Sequence, residues 1–303
     1  MKKYLVLFIW LLGAESLLSC DICGCSVSGS YYGLFPQYRK HFIGLRTHYR
    51  TYQIKHPPLF ASEQLIYSND LSFVSEIWGK YQINKKLQGI INFPYQYNQR
   101  QENGILLSSH GFGDASLIIL YNLWSTPDST KGFFKHAWVL GGGIKIPTGK
   151  YQNSVIYKDL ILPGFQIGSA SWDFPLSFLY TIKRKSIGMN LEMTYQINTQ
   201  NRYGYEFGNR ISSAIRFFYW KFQPNFSYLP QTGISYENFG RDIKENRIVK
   251  YTGGNAVWSF YGMDIYKGRW GLGIHGWLPI YQNIGEVHVK MQPRLSTNLL
   301  FLF

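Results

Sequence analysis

Cysteine is scarce in this 303-residue chain and confined to one place. Cys20, Cys23 and Cys25 fall within six residues, so thiol chemistry is limited to that stretch. Charge is scarce as well. Asp, Glu, Lys and Arg make up 16%, against about 25% in an ordinary soluble domain. Acidic residues are the fewer sign, 17 against 31 Lys and Arg, which leaves a formal charge of +14. No basic cluster accompanies a nucleic-acid-binding motif, which argues against such a partner. Long apolar runs are missing beyond the N-terminus. There, Met1-Lys2-Lys3, an apolar run from Tyr4 to Gly13 and small residues to Ser19 read as a secretory signal peptide over residues 1–19. The run is about half of the ~20 apolar residues that a spanning helix needs. An exported mature chain without a membrane helix is expected.

What the chain has in excess is aromatics, 18%, together with 30 glycines. With so few charges, that composition favours an all-β chain. Alternation bears on this more directly. Ile187, Met189, Leu191, Met193, Tyr195 and Ile197 alternate without error against small or polar residues from Ser186 to Asn198. Similar segments predict twelve strands, at 40–53, 71–83, 87–100, 113–124, 136–147, 173–184, 186–198, 207–219, 221–233, 255–266, 268–280 and 292–303. Tight turns at 84–86, 184–185, 220–221 and 267–268 alternate with long polar loops at 54–70, 101–112, 148–172, 199–206, 234–254 and 281–291.

Short turns on one side and long loops on the other are the pattern of a transmembrane antiparallel up-and-down β-barrel. A soluble sandwich places its apolar faces in a core instead, and twelve such strands also fit two stacked sheets. The signal peptide, the aromatics and a last strand from Leu295 to Phe303 favour the barrel. That strand resembles the terminal signal read by barrel assembly machinery. The expected organisation is a signal peptide at 1–19, a periplasmic segment with the cysteines at 20–39, and a barrel over 40–303 in the outer membrane of a Gram-negative-type bacterium. Its partners are then outer-membrane lipid and a small-molecule solute, with both termini periplasmic and the long loops outside.

Three stretches carry a family resemblance: "GFGDASLIILYNLW" (111–124), "LGGGIKIPTGKY" (140–151) and "GSASWDFPLSFLY" (168–180). They resemble the outer-membrane transporter family associated with the meta-pathway of phenol degradation. The shared features are a Gly-x-Gly-Asp strand start, a glycine-rich strand ending in Pro-Thr-Gly, and a Gly-Ser-Gly-x-x-Asp approach to the next strand. Ala170 stands where the second glycine of that last motif is usual. The resemblance covers about 70 residues; it implies a barrel and suggests transport, without naming a solute.

Read by itself, "LGGGIKIPTGKYQ" invites a phosphate-loop reading, but Ile144 and Tyr151 occupy positions that need Gly and Ser or Thr. It is better read as a barrel stave, with Val139, Gly141, Gly143 and Lys145 towards the lumen. The basic residues expected to line the solute path are Arg46, Arg50, Lys80, Lys145, Arg210, Arg216 and Arg294. Set against Glu76, Asp114 and Glu192, they leave an excess of positive charge that would bias a narrow lumen towards anions. Paired charges would instead plug it, because a barrel of about twelve strands lies between a filled interior and an open channel. Asp114 is expected to cap a strand start on backbone amides rather than act as a base. No Ser-His-acid arrangement signals an enzyme.

The cysteines admit three readings. Cys20 follows an approximate lipobox and is a candidate for lipidation, as in a lipoprotein. Cys20, Cys23 and Cys25 together suit Cu(I) or zinc. Two of them can also pair as a disulfide. The solute, anionic or aromatic, is left open, and alternatives are a metal-handling protein or a closed structural barrel.

Overall fold

The computed structural model describes residues 41–56, 66–126, 134–151, 156–157, 160–161, 165–221 and 226–303. The expected signal peptide and the segment 20–39, with all three cysteines, lie outside them. Twelve long strands form the body: β1 (Phe42–His56), β2 (Ile66–Gln82), β3 (Leu87–Glu102), β4 (Ala115–Ser125), β5 (Lys135–Ile146) and β6 (Phe174–Arg184). They continue as β7 (Ile187–Ile197), β8 (Arg210–Tyr219), β9 (Ser227–Phe239), β10 (Gly254–Lys267), β11 (Trp270–Ile284) and β12 (Arg294–Leu302). Each pairs antiparallel with its sequence neighbours. The last closes on the first over the register Phe42↔Leu302 to Tyr49↔Leu295. The result is a closed, up-and-down barrel with no free edge.

Closure satisfies the backbone groups between strands, which is what a hydrocarbon environment requires. The two faces are inverted relative to a soluble protein. Ile77, Phe217 and Ile234 on the outer face are more than half exposed, whereas inward Arg46, Glu76, Asn190 and Arg216 are buried. An apolar exterior around a polar interior is stable in lipid and not in water. That excludes the soluble sandwich.

Several boundaries differ from the sequence expectation. β2 begins at Ile66 rather than 71, and β9 runs to Phe239 rather than 233. Ile234 and Tyr236 stay exposed while Ser235 stays buried, so the period-2 pattern continues past Gly233. The expected loop 101–112 is instead the tip of a hairpin. A strand at Ile105–Phe112 pairs back onto β3 through Asn103 and Gly104, both with positive φ. Asn-Gly is the sequence of a two-residue type I′ turn, whose twist suits paired strands. In the expected loop 234–254, short strands at Ile243–Lys244 and Arg247–Ile248 pair, and the first of them also pairs Tyr205–Glu206.

Candidate functional site

Alternation along every strand sends one set of side chains into the lumen, and these sort into layers. Near the short turns the layer is apolar. Phe42, Trp78, Ile90, Ile118, Leu120, Val139, Leu179 and Leu300 form one buried cluster with Tyr266 and Leu302. Phe218 and Leu229 continue it along β8 and β9, with Trp220 packed against both groups. Every residue here comes from the inward phase of its strand, so the ring follows from period 2 alone. It closes the turn end of the lumen with side chains.

Above that ring the lumen is polar and ionic. Arg46 donates to the Glu76 carboxylate, whose Oε1 also lies 3.0 Å from His48 Nε2. Arg216 meets Glu192 at 2.5 Å, and Arg100 meets Asp70 at 2.5 Å. Arg294 Nη1 donates to both oxygens of Glu237, at 2.8 and 3.0 Å, with its guanidinium 3.8 Å from the centroid of the Trp258 ring. A small cavity, lined among others by His48, Arg50, Glu192, Arg216, Glu237 and Arg294, opens between these pairs.

The loop end is covered from two sides. Tyr52, Ile54, Trp258, Ile284, Val289 and Met291 form a second buried apolar cluster. Elsewhere on the rim, residues 165–173 fold inward as a strap. Phe165, Gln166, Ile167, Ser169 and Ser171 are all buried. The strap is held by a hub on β4 and β5. Asp114 accepts from the backbone amides of Gly149 (2.9 Å) and Ser169 (2.8 Å), which is the strand-start role expected of it. Lys145 pairs with Asp173 and, at 3.3 Å, with Asp114, and donates to Ser169 Oγ at 2.7 Å. Gly149 and Gly168 touch so closely that a Cβ on Gly168 would sit 2.7 Å from the Gly149 backbone.

The Gly-x-Gly-Asp, Pro-Thr-Gly and Gly-Ser-x-x-x-Asp stretches thus meet at one knot. Ala170 has φ +56°, the left-handed region that glycine occupies without cost, which explains why a glycine suits that position. Ser169 is within reach of Lys145 but is fully buried and bonded to Asp114, so this knot holds a strap and does not present a nucleophile.

Of the seven basic residues expected in the path, Arg46, Lys145, Arg216 and Arg294 are paired with carboxylates as described. Arg50 lines the cavity, and Arg210 lies 5.1 Å from the Phe239 ring. Lys80 is buried, with Nζ 5.6 Å from the Phe42 ring. All seven belong to the inward phase of their strands. The expected excess of positive charge is reduced. Asp70, Asp173, Glu237 and Asp264 also point inward, as do Arg100 and Glu102 and, towards the turn end, Lys135 and Lys183, so most but not all of the inward charge is balanced. Asp70 and Glu237 fall in expected loops because β2 and β9 are longer than their alternation suggests. Asp264 lies where bulky residues on both faces blur the pattern. Among the described residues, no group of three His, Cys, Asp or Glu side chains is arranged to hold a metal ion.

Residues 63–243 match a family described as "Putative MetA-pathway of phenol degradation". An outer membrane channel from Pseudomonas putida F1 is similar in fold at 13% identity, with a TM-score of 0.64 over 92% of this chain and 100% of that one. The beta domain of the Bordetella autotransporter BrkA is similar at 10% identity, with a TM-score of 0.48 over 87% of this chain and 100% of that one. No curated protein matches by sequence.

Proposed function

The chain belongs to the MetA-pathway of phenol degradation family, and from that premise we propose that it is an outer-membrane channel for a small, uncharged, largely apolar solute, aromatic in the first instance. The observation that carries this reading is the combination of lumen charges held in ion pairs with an apolar ring closing the turn end. An ion would have to leave its hydration shell to pass Phe42, Trp78 and their neighbours. An aromatic molecule meets side chains of its own kind there, and ring contacts of the Phe42–Trp78 type, 4.5 Å between centroids, are open to it.

In this reading the polar cavity above the ring is a waiting site, and the strap 165–173 narrows its approach. The barrel sits in the outer membrane with its short turns and both termini in the periplasm, after insertion by barrel assembly machinery. It performs no chemistry on the solute. Anion conduction is the competing version, and inward Asp70, Asp173, Glu237 and Asp264 reduce the charge excess that favours it. The metal and lipidation readings of Cys20, Cys23 and Cys25 stand on residues outside those described; mass spectrometry of the mature N-terminus decides lipidation, and copper or zinc binding by wild type against Cys20→Ser/Cys23→Ser/Cys25→Ser decides the metal reading.

The test is a transport measurement on purified protein in bilayers. Uptake of an uncharged aromatic should rise with protein, and ion conductance should stay near that of the bare bilayer. Large, anion-selective steps would replace this reading with an anion pore.

A further inference from the structure

The two ends of the barrel differ in charge. At the turn end, Lys85 and Lys86 occupy the β2–β3 turn and Lys185 the β6–β7 turn. Lys221 follows β8, and Lys267 and Arg269 flank the β10–β11 turn. All six are exposed. No Asp or Glu side chain lies on this rim among the described residues. At the loop end the signs are mixed, and Arg241 meets Glu286 there at 3.3 Å.

Just inside the basic rim lies an aromatic band. Tyr81, Trp124, Trp270 and Phe303 are each more than half exposed on the outer face. Two of the cations sit over rings at this level, Lys86 Nζ at 5.9 Å from the Tyr121 centroid and Lys221 Nζ at 6.0 Å from that of Tyr228. Amphipathic rings settle at the level of lipid headgroups, and lysine stems lie along apolar surface while the ammonium reaches the polar layer. The band therefore fixes the depth of the rim. It places the ammonium and guanidinium groups at the height of the phosphates.

We propose that the turn-end rim is a ring of binding sites for anionic phospholipid headgroups. The ligand chemistry is a phosphodiester that carries net negative charge, held by Lys and Arg spread over four turns rather than by one pocket. A zwitterionic headgroup presents its own ammonium to the same cations and is held less well. The inference rests on the barrel's place in a membrane and is independent of what passes through the lumen.

The experiment compares lipid retention by the full-length protein. Vesicles of equal phosphatidylglycerol and phosphatidylcholine are extracted mildly, and native mass spectrometry counts the lipids that stay bound. Wild type should retain phosphatidylglycerol preferentially at low salt and lose the preference at 1 M salt, where the screening length is about 3 Å. The variant Lys85→Gln/Lys86→Gln/Lys185→Gln/Lys221→Gln/Lys267→Gln/Arg269→Gln should retain little preference, each lost cation weakening binding by about fivefold at most. A loop-end control, Lys244→Gln/Arg247→Gln/Lys250→Gln/Lys290→Gln, should keep it. If the six-fold variant does not fold, Lys85→Gln/Lys86→Gln and Lys267→Gln/Arg269→Gln are each expected to lose part of the preference. Parity between the two lipids in wild type overturns the proposal. So does a preference that survives rim neutralisation, or one that falls equally in the loop-end control.

Discussion

Arg294 and Glu237 stand on β12 and β9, strands separated by two others in the barrel wall, yet their side chains meet at 2.8 and 3.0 Å. Their ion pair therefore spans a chord of the lumen. Register partners such as Arg46 and Glu76 only line its wall. Removing Glu237 leaves Arg294 buried without its counter-charge, a change that costs about 3–5 kcal/mol in a closed site. Glu237→Ala is expected to lower the temperature at which the barrel unfolds on gels. It should also shift the reversal potential of any residual current towards anions. An unchanged reversal potential would show that Arg294 does not face the permeation path.

The apolar ring is the second target. Phe42→Ala and Trp78→Ala each open space at the turn end, where the two rings meet edge to face. Truncation of a large aromatic costs about 3–5 kcal/mol in a close-packed core, so both variants should unfold earlier. Their ion conductance in planar bilayers should nonetheless exceed that of wild type. Lower stability without any rise in conductance would mean that the ring is packing and not a constriction.

Two substitutions at the strap have opposite expected signs. Gly168→Ala drives a Cβ to 2.7 Å from the Gly149 backbone and should destabilise by about 1–3 kcal/mol. Ala170→Gly relieves a left-handed residue, φ +56°, at a cost in chain entropy, and should stabilise by less than about 1 kcal/mol. Proteolysis within 165–173 is a direct readout: it should quicken in the first variant and slow in the second.

Asp242, in the loop between β9 and β10, carries a pH dependence whose sign follows from its burial. Burial raises its carboxyl pKa above the ordinary 3.8, against the Tyr205 hydroxyl and the Gly208 amide that donate to it. The folded loop thus holds the proton more tightly than the unfolded one. Its stabilising share is complete below pH 3.8 and fades as pH rises through the raised value. Hydrogen exchange at the Gly208 amide, corrected for intrinsic rate, should speed up across that window in wild type. Asp242→Asn should flatten the profile.

Much of the architecture was legible because a barrel writes itself as period 2, and all twelve strands were found from it. The alternation of turn and loop lengths supplied the closure. Legibility failed where a local rule overrode that pattern. Gly233 suggested a strand end, yet β9 continues, because a glycine between Thr232 and Ile234 still completes the ladder opposite Arg216 and Phe260. Asn103-Gly104 falls within the expected loop 101–112 although the pair specifies a hairpin turn. These boundaries hide Asp70 and Glu237 and so inflate the expected excess of positive charge. The strap was out of reach altogether. No periodicity records that Ser169 meets Asp114 across 55 residues of chain.

The lipid face offers a check on the membrane itself. Ile215 lies near the middle of β8 and points outward. Ile215→Lys should cost about 2–4 kcal/mol at the bilayer midplane, and its neighbour Ala214, inward and buried, should tolerate Ser with little loss. Equal effects at both positions would contradict the inside-out assignment.

The central claim is that the lumen passes an uncharged apolar solute and rejects ions. It is tested most directly in vesicles with a lipopolysaccharide outer leaflet, by following phenol uptake and chloride conductance on the same preparation. Protein-dependent phenol uptake with chloride conductance near baseline is expected, and more chloride current once Trp78→Ala opens the ring. Phenol uptake no faster than in empty vesicles, alongside a substantial chloride conductance in wild type, would contradict it.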